Sequence, residues 1–256
     1  MQAELIQQFR LHMHDLKNFG LSDVVECSAA LRRITENASS MEDASAKIIT
    51  YLYEQLHVDK KPALALVRFF KTHAFEALQP QQQKFALNIA KGITPPPGMK
   101  CLTLLATRGD EPDWNSRLKS RGHAAIPLPS EKMVQNAPMI SQLIMQLGLD
   151  IGTVISPADR NTILDLAQRS YNVFYVPEAK GSPFIVAQDD FVIAYNIRSV
   201  LGFGGMLPSG NLFAVIMFSK EHISRETADM FANVALAAKL AVLPFDGRVT
   251  FSESAA

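Results

Sequence analysis

The stretch SVLGFGGMLPSGNLFAVIMFS (199–219) holds four of the chain's thirteen glycines, and glycines let a backbone come close to a phosphate. A phosphate-cradling loop opens straight into a helix, whose first turn offers free N–H groups and a partial positive charge. Here Gly202, Gly204 and Gly205 lead into PSGN and a second apolar segment, with no helical pattern for roughly twenty residues. Their spacing misses G-x-G-x-x-G, and no Gly-Lys-Ser/Thr follows. The glycines therefore mark a strand that bends, or that lies close to another backbone or a ligand. Pro208 suits the first central position of a type I turn, and Gly210 the left-handed residue that closes a bulged hairpin.

Six histidines, His12, His14, His57, His73, His123 and His222, are scattered along the chain. Only His12 and His14 are close, and a two-residue step on a helix turns them to different faces, so no zinc site is expected. A haem needs one axial histidine in an apolar pocket, and His123, entering an expected strand from a polar loop, is placed best for that. Cys27 and Cys101 are far apart and neither belongs to a C-x-x-C pair, which removes a zinc ribbon and a dithiol redox motif. Cys101 opens an apolar segment and reads as a small core residue more readily than as a nucleophile. Asp189 and Asp190 would face opposite ways on a strand, so a solvated turn suits them better than paired acid–base work. In VRFFKTH (67–73), Arg68, Lys71 and His73 lie near a strand end. There they meet an anion or a partner's acidic face or, more commonly, stand on a solvated edge. HDLKN (14–18) resembles the phospho-acceptor box of histidine kinases, with His14 beside Asp15. The usual proline after Asn is absent and no ATP-binding glycine boxes follow, so an exposed helix histidine is expected. No nucleophile, base and orienting group are concentrated together, and no catalytic residue is assigned.

Lys plus Arg and Asp plus Glu both number 25, for a formal net charge of zero. A duplex-binding surface relies on excess positive charge, so general nucleic-acid binding is disfavoured, though a local basic patch is not. The 256 residues, 48% apolar and 20% charged, suffice for one large domain or a domain with an appendage. The N-terminal stretch alternates polar and apolar residues helically and lacks the apolar core of a signal peptide. No uncharged apolar run has bilayer-crossing length, and the expected compartment is the cytoplasm.

The elements that would position these residues follow from periodicity. Leu5, Ile6, Phe9, Met13 and Leu16 share one helical face, ended by Gly20. Ser22 can cap a second helix and Ser40 a third, with Asp43 as a box-like partner. Segments 63–70 and 101–107, HAAIPL and VFYVP read as strands, with a short helix over 79–92 and the stiff TPPPG (94–98) between the first two. Residues 130–148 read as helical, with Pro138 starting or kinking the helix. A last helix starts near Ser224 and ends at Pro244.

The hairpin with its flanks, NIRSVLGFGGMLPSGNLFAVIMFSKEHISRETADMFANVALAAKLAVL, resembles the last part of a GAF domain. In that family an I-R-S-type strand leads through a tight hairpin to a second apolar strand, a polar link and a closing helix. Ile197, Arg198 and Ser199 fall where such a motif places them. CLTLLATRGDEP is similar to the family's second strand and turn, and 22–56 to its opening helices. The likeness is loose over 22–245 and closer over 196–243; at a coarser level the chain resembles GAF-like input regions ahead of bacterial histidine kinases. It departs in the insertion 79–92 and the proline run, which separate two strands that usually form a direct hairpin. It also lacks the Asn-Lys-Phe…Asp-Glu cyclic-nucleotide signature and a Cys-His pair where bilin-binding relatives attach their chromophore. Two distant cysteines do not suit the relatives that reduce methionine sulfoxide.

The resemblance implies an α/β (α+β) fold: a GAF-like central antiparallel sheet of five or six strands with helices packed on one face and an N-terminal helical extension. The expected organisation is a helix over 1–20, a domain over 21–246 with an inserted helix near 79–92, and a flexible tail over 247–256. It further implies a non-catalytic cytoplasmic sensory or regulatory module. That module would be a homodimer that binds an unidentified small molecule or relays a signal in a two-component-type pathway, with a histidine kinase or other signalling protein as partner. The alternatives are a ligand-free dimerisation or docking scaffold, and a haem-binding or enzymatic relative. Trp114, His123, Tyr175, Tyr195 and Arg198 would line the pocket, or else belong to ordinary core and surface. Leu5, Phe9, Met13 and Leu16 would form the dimer interface. No metal, nucleic acid or membrane is expected as a partner, and the cofactor stays unknown.

Overall fold

The computed structural model describes residues 13–91, 94–120, 122–156, 159–169 and 171–252, so Leu5 and Phe9 of the expected interface lie outside it. The first described segment is not helical. β1 (His14–Asp15) runs parallel to β2 (Leu56–Val58), which pairs antiparallel with β3 (Lys61–Pro62). The Asp15 carboxylate accepts the Lys17 N–H at 3.0 Å and the Asn18 side-chain amide at 2.7 Å. Such bonds offer the backbone a turn in place of a helix. The stripe through Met13 and Leu16 is therefore broken. Met13 is 55% exposed, whereas Leu16, at 1%, is buried in the chain's own core, which corrects its placement on a dimer interface.

Helix α1 (Leu21–Thr35) is capped by Gly20 and not by Ser22: the Gly20 N–H donates to the Asp23 carboxylate at 3.0 Å. Helix α2 (Met41–Gln55) starts as its sequence predicts, with the Asp43 N–H on Ser40 Oγ at 3.1 Å. The Asp43 carboxylate takes the Ser39 N–H at 3.0 Å, fixing the residue before the cap.

Six strands form the central sheet, β4 (Leu64–Ala74), β5 (Lys100–Gly109), β6 (Ala125–Leu128), β7 (Phe174–Val176), β8 (Ser199–Met206) and β9 (Leu212–Ser219). Their order is β6-β5-β4-β9-β8-β7, and every neighbouring pair is antiparallel. The helix expected in the 79–92 insertion is α3 (Pro80–Ala90), lying between β4 and β5 in the chain. Pro138 splits the expected 130–148 helix into α4 (Glu131–Gln135) and α5 (Pro138–Gln146), and stands at the first turn of α5, where its missing N–H is not needed. Two short helices follow, α6 (Ile151–Ile155) and α7 (Arg160–Gln168), and then the long α8 (Arg225–Val242).

Strand alternation sorts the apolar residues between two cores. Val67, Phe69, Phe203, Phe213 and Met217 face α1, α2 and α8, where Phe203 and Phe213 meet the aromatic rings of Phe231 and Phe69. Leu66, Phe70, Leu104, Phe174 and Phe218 face the other way, onto α5 and the 171–197 segment. Helices therefore cover both faces, not one. This is why β8 and β9 are buried throughout and read as unbroken apolar runs, without polar alternation.

The hairpin between them forms as its sequence predicts. The Gly210 N–H closes a turn on the Leu207 carbonyl at 2.9 Å, and Gly210 takes φ +76°. Gly204 is required by close approach, since a Cβ there would lie 2.1 Å from the Phe213 carbonyl oxygen. Ser224 caps α8 through the Thr227 N–H at 3.1 Å. By length and mean hydropathy (1.4) Arg225–Phe245 would suit a bilayer; here 44% of that stretch is buried against the sheet and α1. The segment 247–256, expected as a free tail, is docked as far as Ser252. The Met41 and Glu42 N–H groups donate to the Val249 and Thr250 carbonyls, and the Ser252 N–H to Glu42.

Candidate ligand cleft

Arg68 lies in the middle of β4, paired with Thr107 of β5 and Ile216 of β9. Its side chain leaves the sheet on the face opposite α1, α2 and α8, and there enters a cleft of about 470 Å³. Leu66, Phe218 and Arg68 make the floor; Ile126, Met139 and Ile140 make one wall. The opposite wall is Trp114 and the segment Phe184–Phe191. That size and apolar lining are those of a small-molecule site. A narrow extension of about 50 Å³ runs on past Phe70 and Leu143. A polar recess of about 360 Å³ adjoins it, carrying Glu111, Asp113, Lys119 and Tyr195. Arg68 and His123 border all three spaces.

The walls are held by identifiable contacts. A π-helical turn, Gln188–Ile193, brings Phe191 to the cleft. The Gln188 amide pins the preceding loop, accepting the Gly181 N–H at 2.8 Å and donating to the Ile185 carbonyl at 2.7 Å. Trp114 packs on Tyr195 (ring centroids 4.5 Å apart) and on Phe191 (5.7 Å), and Phe191 on Phe218 (4.9 Å). Behind Trp114, Gly109 has no room for a side chain, because a Cβ would stand 2.8 Å from the indole. Next to it, Asp110 is anchored three ways: its N–H donates to Ala65, and its carboxylate accepts from the Tyr53 hydroxyl at 2.6 Å and from Lys220 at 3.1 Å.

Arg68 Nη1 lies 3.0 Å from His123 Nδ1, and no carboxylate pairs with the guanidinium among the described residues. Its Nε is buried without a hydrogen-bond partner. Burial holds the Arg68 pKa down at about 10. The His123 ring is exposed on one side, yet the protein packed round it, and after that the Arg68 charge, hold it down at about 4. A guanidinium only donates, so neutral His123 accepts through Nδ1 and carries its proton on Nε2. That arrangement does not fit a haem ligand. An axial histidine keeps its Nδ1–H on a carbonyl or carboxylate that raises its basicity, whereas a guanidinium there lowers it. Among the described residues no three His, Cys, Asp or Glu side chains gather as a metal site.

Of the five residues expected at a pocket, the structure brings Trp114, His123 and Tyr195 together. Tyr175 faces away: its neighbours Phe174 and Val176 pack on the cleft side, so alternation turns it to the other core. There its hydroxyl donates to the Ile223 carbonyl, and Arg225 lies over its ring at 5.9 Å. Arg198 is exposed at a separate shallow recess of about 230 Å³ with Glu178 and His222.

The solvated edge expected for Lys71 and His73 is also corrected. Both are buried, on the opposite face from Arg68, with Lys71 Nζ 3.3 Å from His73 Nε2. Burial pushes Lys71 down to about 8 and, with the Lys71 charge added, His73 down to about 3. His14, expected on an exposed helix, is fully buried between Asp23 (2.8 Å) and the Tyr51 hydroxyl (2.9 Å). It ties β1 to α1 and α2 and is closed to a phosphoryl donor. Asp189 and Asp190 are solvated as expected, but within the π-helical turn.

No family model matches the chain, and no curated protein sequence matches it. Among solved structures it is similar to a free methionine-R-sulfoxide reductase from Neisseria meningitidis, in complex with its substrate. That match has 11% identity and a TM-score of 0.46, and covers 88% of this chain and 89% of that one. It is also similar to the GAF domain of a phosphoenolpyruvate-protein phosphotransferase from Coxiella burnetii, at 13% identity and TM-score 0.44, covering 88% and 97%. A third similar structure is the phycocyanobilin-bound GAF domain of a cyanobacterial phytochrome, at 11% identity and TM-score 0.39, covering 86% and 94%. GAF domains thus stand among the solved structures to which this chain is similar; no ligand or activity passes from them to it.

Proposed function

We propose that this chain is a non-catalytic sensory or regulatory module that holds a small molecule in the Arg68 cleft and reports its presence through the helical face of the sheet. The observation that carries the reading is the cleft itself, about 470 Å³ of largely apolar space around Arg68, a cation with no counter-charge among the described residues. A ligand that binds one arrangement of the cleft more tightly than another shifts the population between them. The two thiols support a role without covalent chemistry, since Cys27 and Cys101 are buried and pushed up to about 12, chiefly by that burial. The likeness of 196–243 to the end of a GAF domain favours a place in a cytoplasmic two-component-type pathway, with a histidine kinase or another signalling protein as its reader.

A second copy of the chain is the partner we assign to the apolar stripe left exposed on the helices. Leu21 and Val25 on α1, and Leu236, Leu240 and Leu243 at and beyond the end of α8, stand out at three- and four-residue steps. That is the spacing of a helix–helix seam, and α1 packs beside α8. Native mass spectrometry of the purified chain, with an absorbance spectrum of the same sample, tests the whole reading. A dimer carrying extra small-molecule mass supports it; a monomer that binds nothing from a library of small organic molecules overturns it.

A further inference from the structure

Arg68 poses an electrostatic problem that none of the described residues answers. Among the described residues its guanidinium makes one hydrogen bond, to His123, and has no carboxylate partner, although the surrounding cleft is mainly hydrocarbon. A charge taken from water is tolerated when it is paired, and here the partner has to come from outside. His123 adds a second donor, the Nε2–H that its Nδ1 contact with Arg68 dictates. We infer that the ligand of the cleft is an amphipathic monocarboxylic acid, its carboxylate on Arg68 and its hydrocarbon body against Trp114, Met139 and Phe218. The inference rests on the cleft being a ligand site, as proposed above.

The charge count selects one negative charge and not two. Among the described residues Arg68 is the sole cation lining the apolar cleft. In the polar recess beside it, Lys119 is already paired with Asp113 at 3.3 Å, and Glu111 adds a further negative charge. A phosphate ester or a dicarboxylate would set its second charge against those carboxylates. The apolar walls, for their part, give a sugar or a nucleotide few groups to bond. An aryl or medium-chain alkyl body fills the space with dispersion contacts and expelled water.

Trp114 is the chain's one tryptophan and lies in the wall, so its emission reports the site directly. The full chain is titrated at neutral pH with 3-phenylpropionate and with octanoate, each beside its primary amide, which keeps shape and removes charge. The expected result is saturable change in Trp114 emission with an acid, and at least tenfold weaker binding of the matching amide. Which acid binds tighter separates an aryl from an alkyl body. In Arg68→Gln the acid's advantage disappears, and Arg68→Lys restores part of it. The wild-type comparison of acid with amide needs no variant to fold. Equal binding of acid and amide overturns the carboxylate inference while leaving the cleft a ligand site. No response to acids, amides or the neutral 3-phenylpropanol overturns the inference and the cleft reading together.

Discussion

Arg68 and His123 stand 3.0 Å apart across the cleft mouth, one fixed in the central strand of the sheet and the other in the loop entering β6. The contact makes His123 a neutral acceptor with a defined tautomer. In a nitrogen-detected NMR titration, His123 should show its proton on Nε2 and stay neutral from pH 8 to 5. Arg68→Gln removes the second cause of its depressed pKa, so the His123 midpoint should rise in that variant while remaining below an ordinary histidine value. A His123 that titrates near 6.5 in the wild-type chain would contradict the geometry.

Acid stability follows from the same groups. His73 and His123 have folded pKa values of about 3 and about 4, below their unfolded value, so the unfolded chain binds more protons in the window between. Stability then rises with pH there, and their contribution is complete above about pH 6.5. As pH falls from 6.5 towards 4, the chain should lose denaturant stability progressively. A His73→Phe, His123→Phe double variant should show a flatter profile over that window in urea melts at stepped pH.

Two glycines of the hairpin should respond differently. Gly204→Val sets a branched side chain against the Phe213 carbonyl of the neighbouring strand, and should cost about 3 kcal/mol or more in chemical denaturation. Gly210 holds φ +76°, so Gly210→Ala should carry the cost of a left-handed backbone for an L-residue, about 1–2 kcal/mol. Equal costs at the two positions would mean that close approach is not what requires Gly204.

The helical stripe makes an oligomer prediction. Leu236→Glu with Leu240→Glu should convert a dimer into a monomer in light scattering while moving the melting temperature little, because both side chains are exposed within one chain. Removal of residues 1–20 is a different perturbation. It takes away Leu16 and His14 together with their core contacts, so it should lower stability by several kcal/mol as well as alter assembly. A dimer that survives both Glu substitutions would move the interface elsewhere.

Local signals in the sequence were good guides wherever the cause of an element is itself local. Ser40 and Ser224 capped their helices, Pro138 began one, and Pro208 with Gly210 turned the hairpin, because each acts on its own few residues. Periodicity failed at 13–20, where the Asp15 carboxylate captured its own turn and β2 supplied a strand partner that only folding brings near. The site was half legible. Residue type and position point to Trp114, His123 and Tyr195, whereas the place of Tyr175 turns on which face of its strand it takes, which type and position do not decide. The sequence groups Arg68 with Lys71 and His73, yet strand alternation splits them between faces, and only the sheet shows which one enters the cleft. The wall formed by Phe184–Phe191 carries no motif at all; its π-helical turn depends on the Gln188 bonds within that loop.

Asp110 is fastened at once to Ala65 of the sheet, to Tyr53 of α2 and to Lys220 in the link before α8, and it stands four residues from Trp114. The cleft and the helices on the far side of the sheet are therefore not insulated from each other. On the proposed function, a ligand that moves the indole would bend the short turn behind it, and that turn ends at Asp110, bonded to a helix and to the approach to a helix. On that reading strain entering at the tryptophan would leave at Ala65, Tyr53 and Lys220, a strand of the sheet and the helical side together.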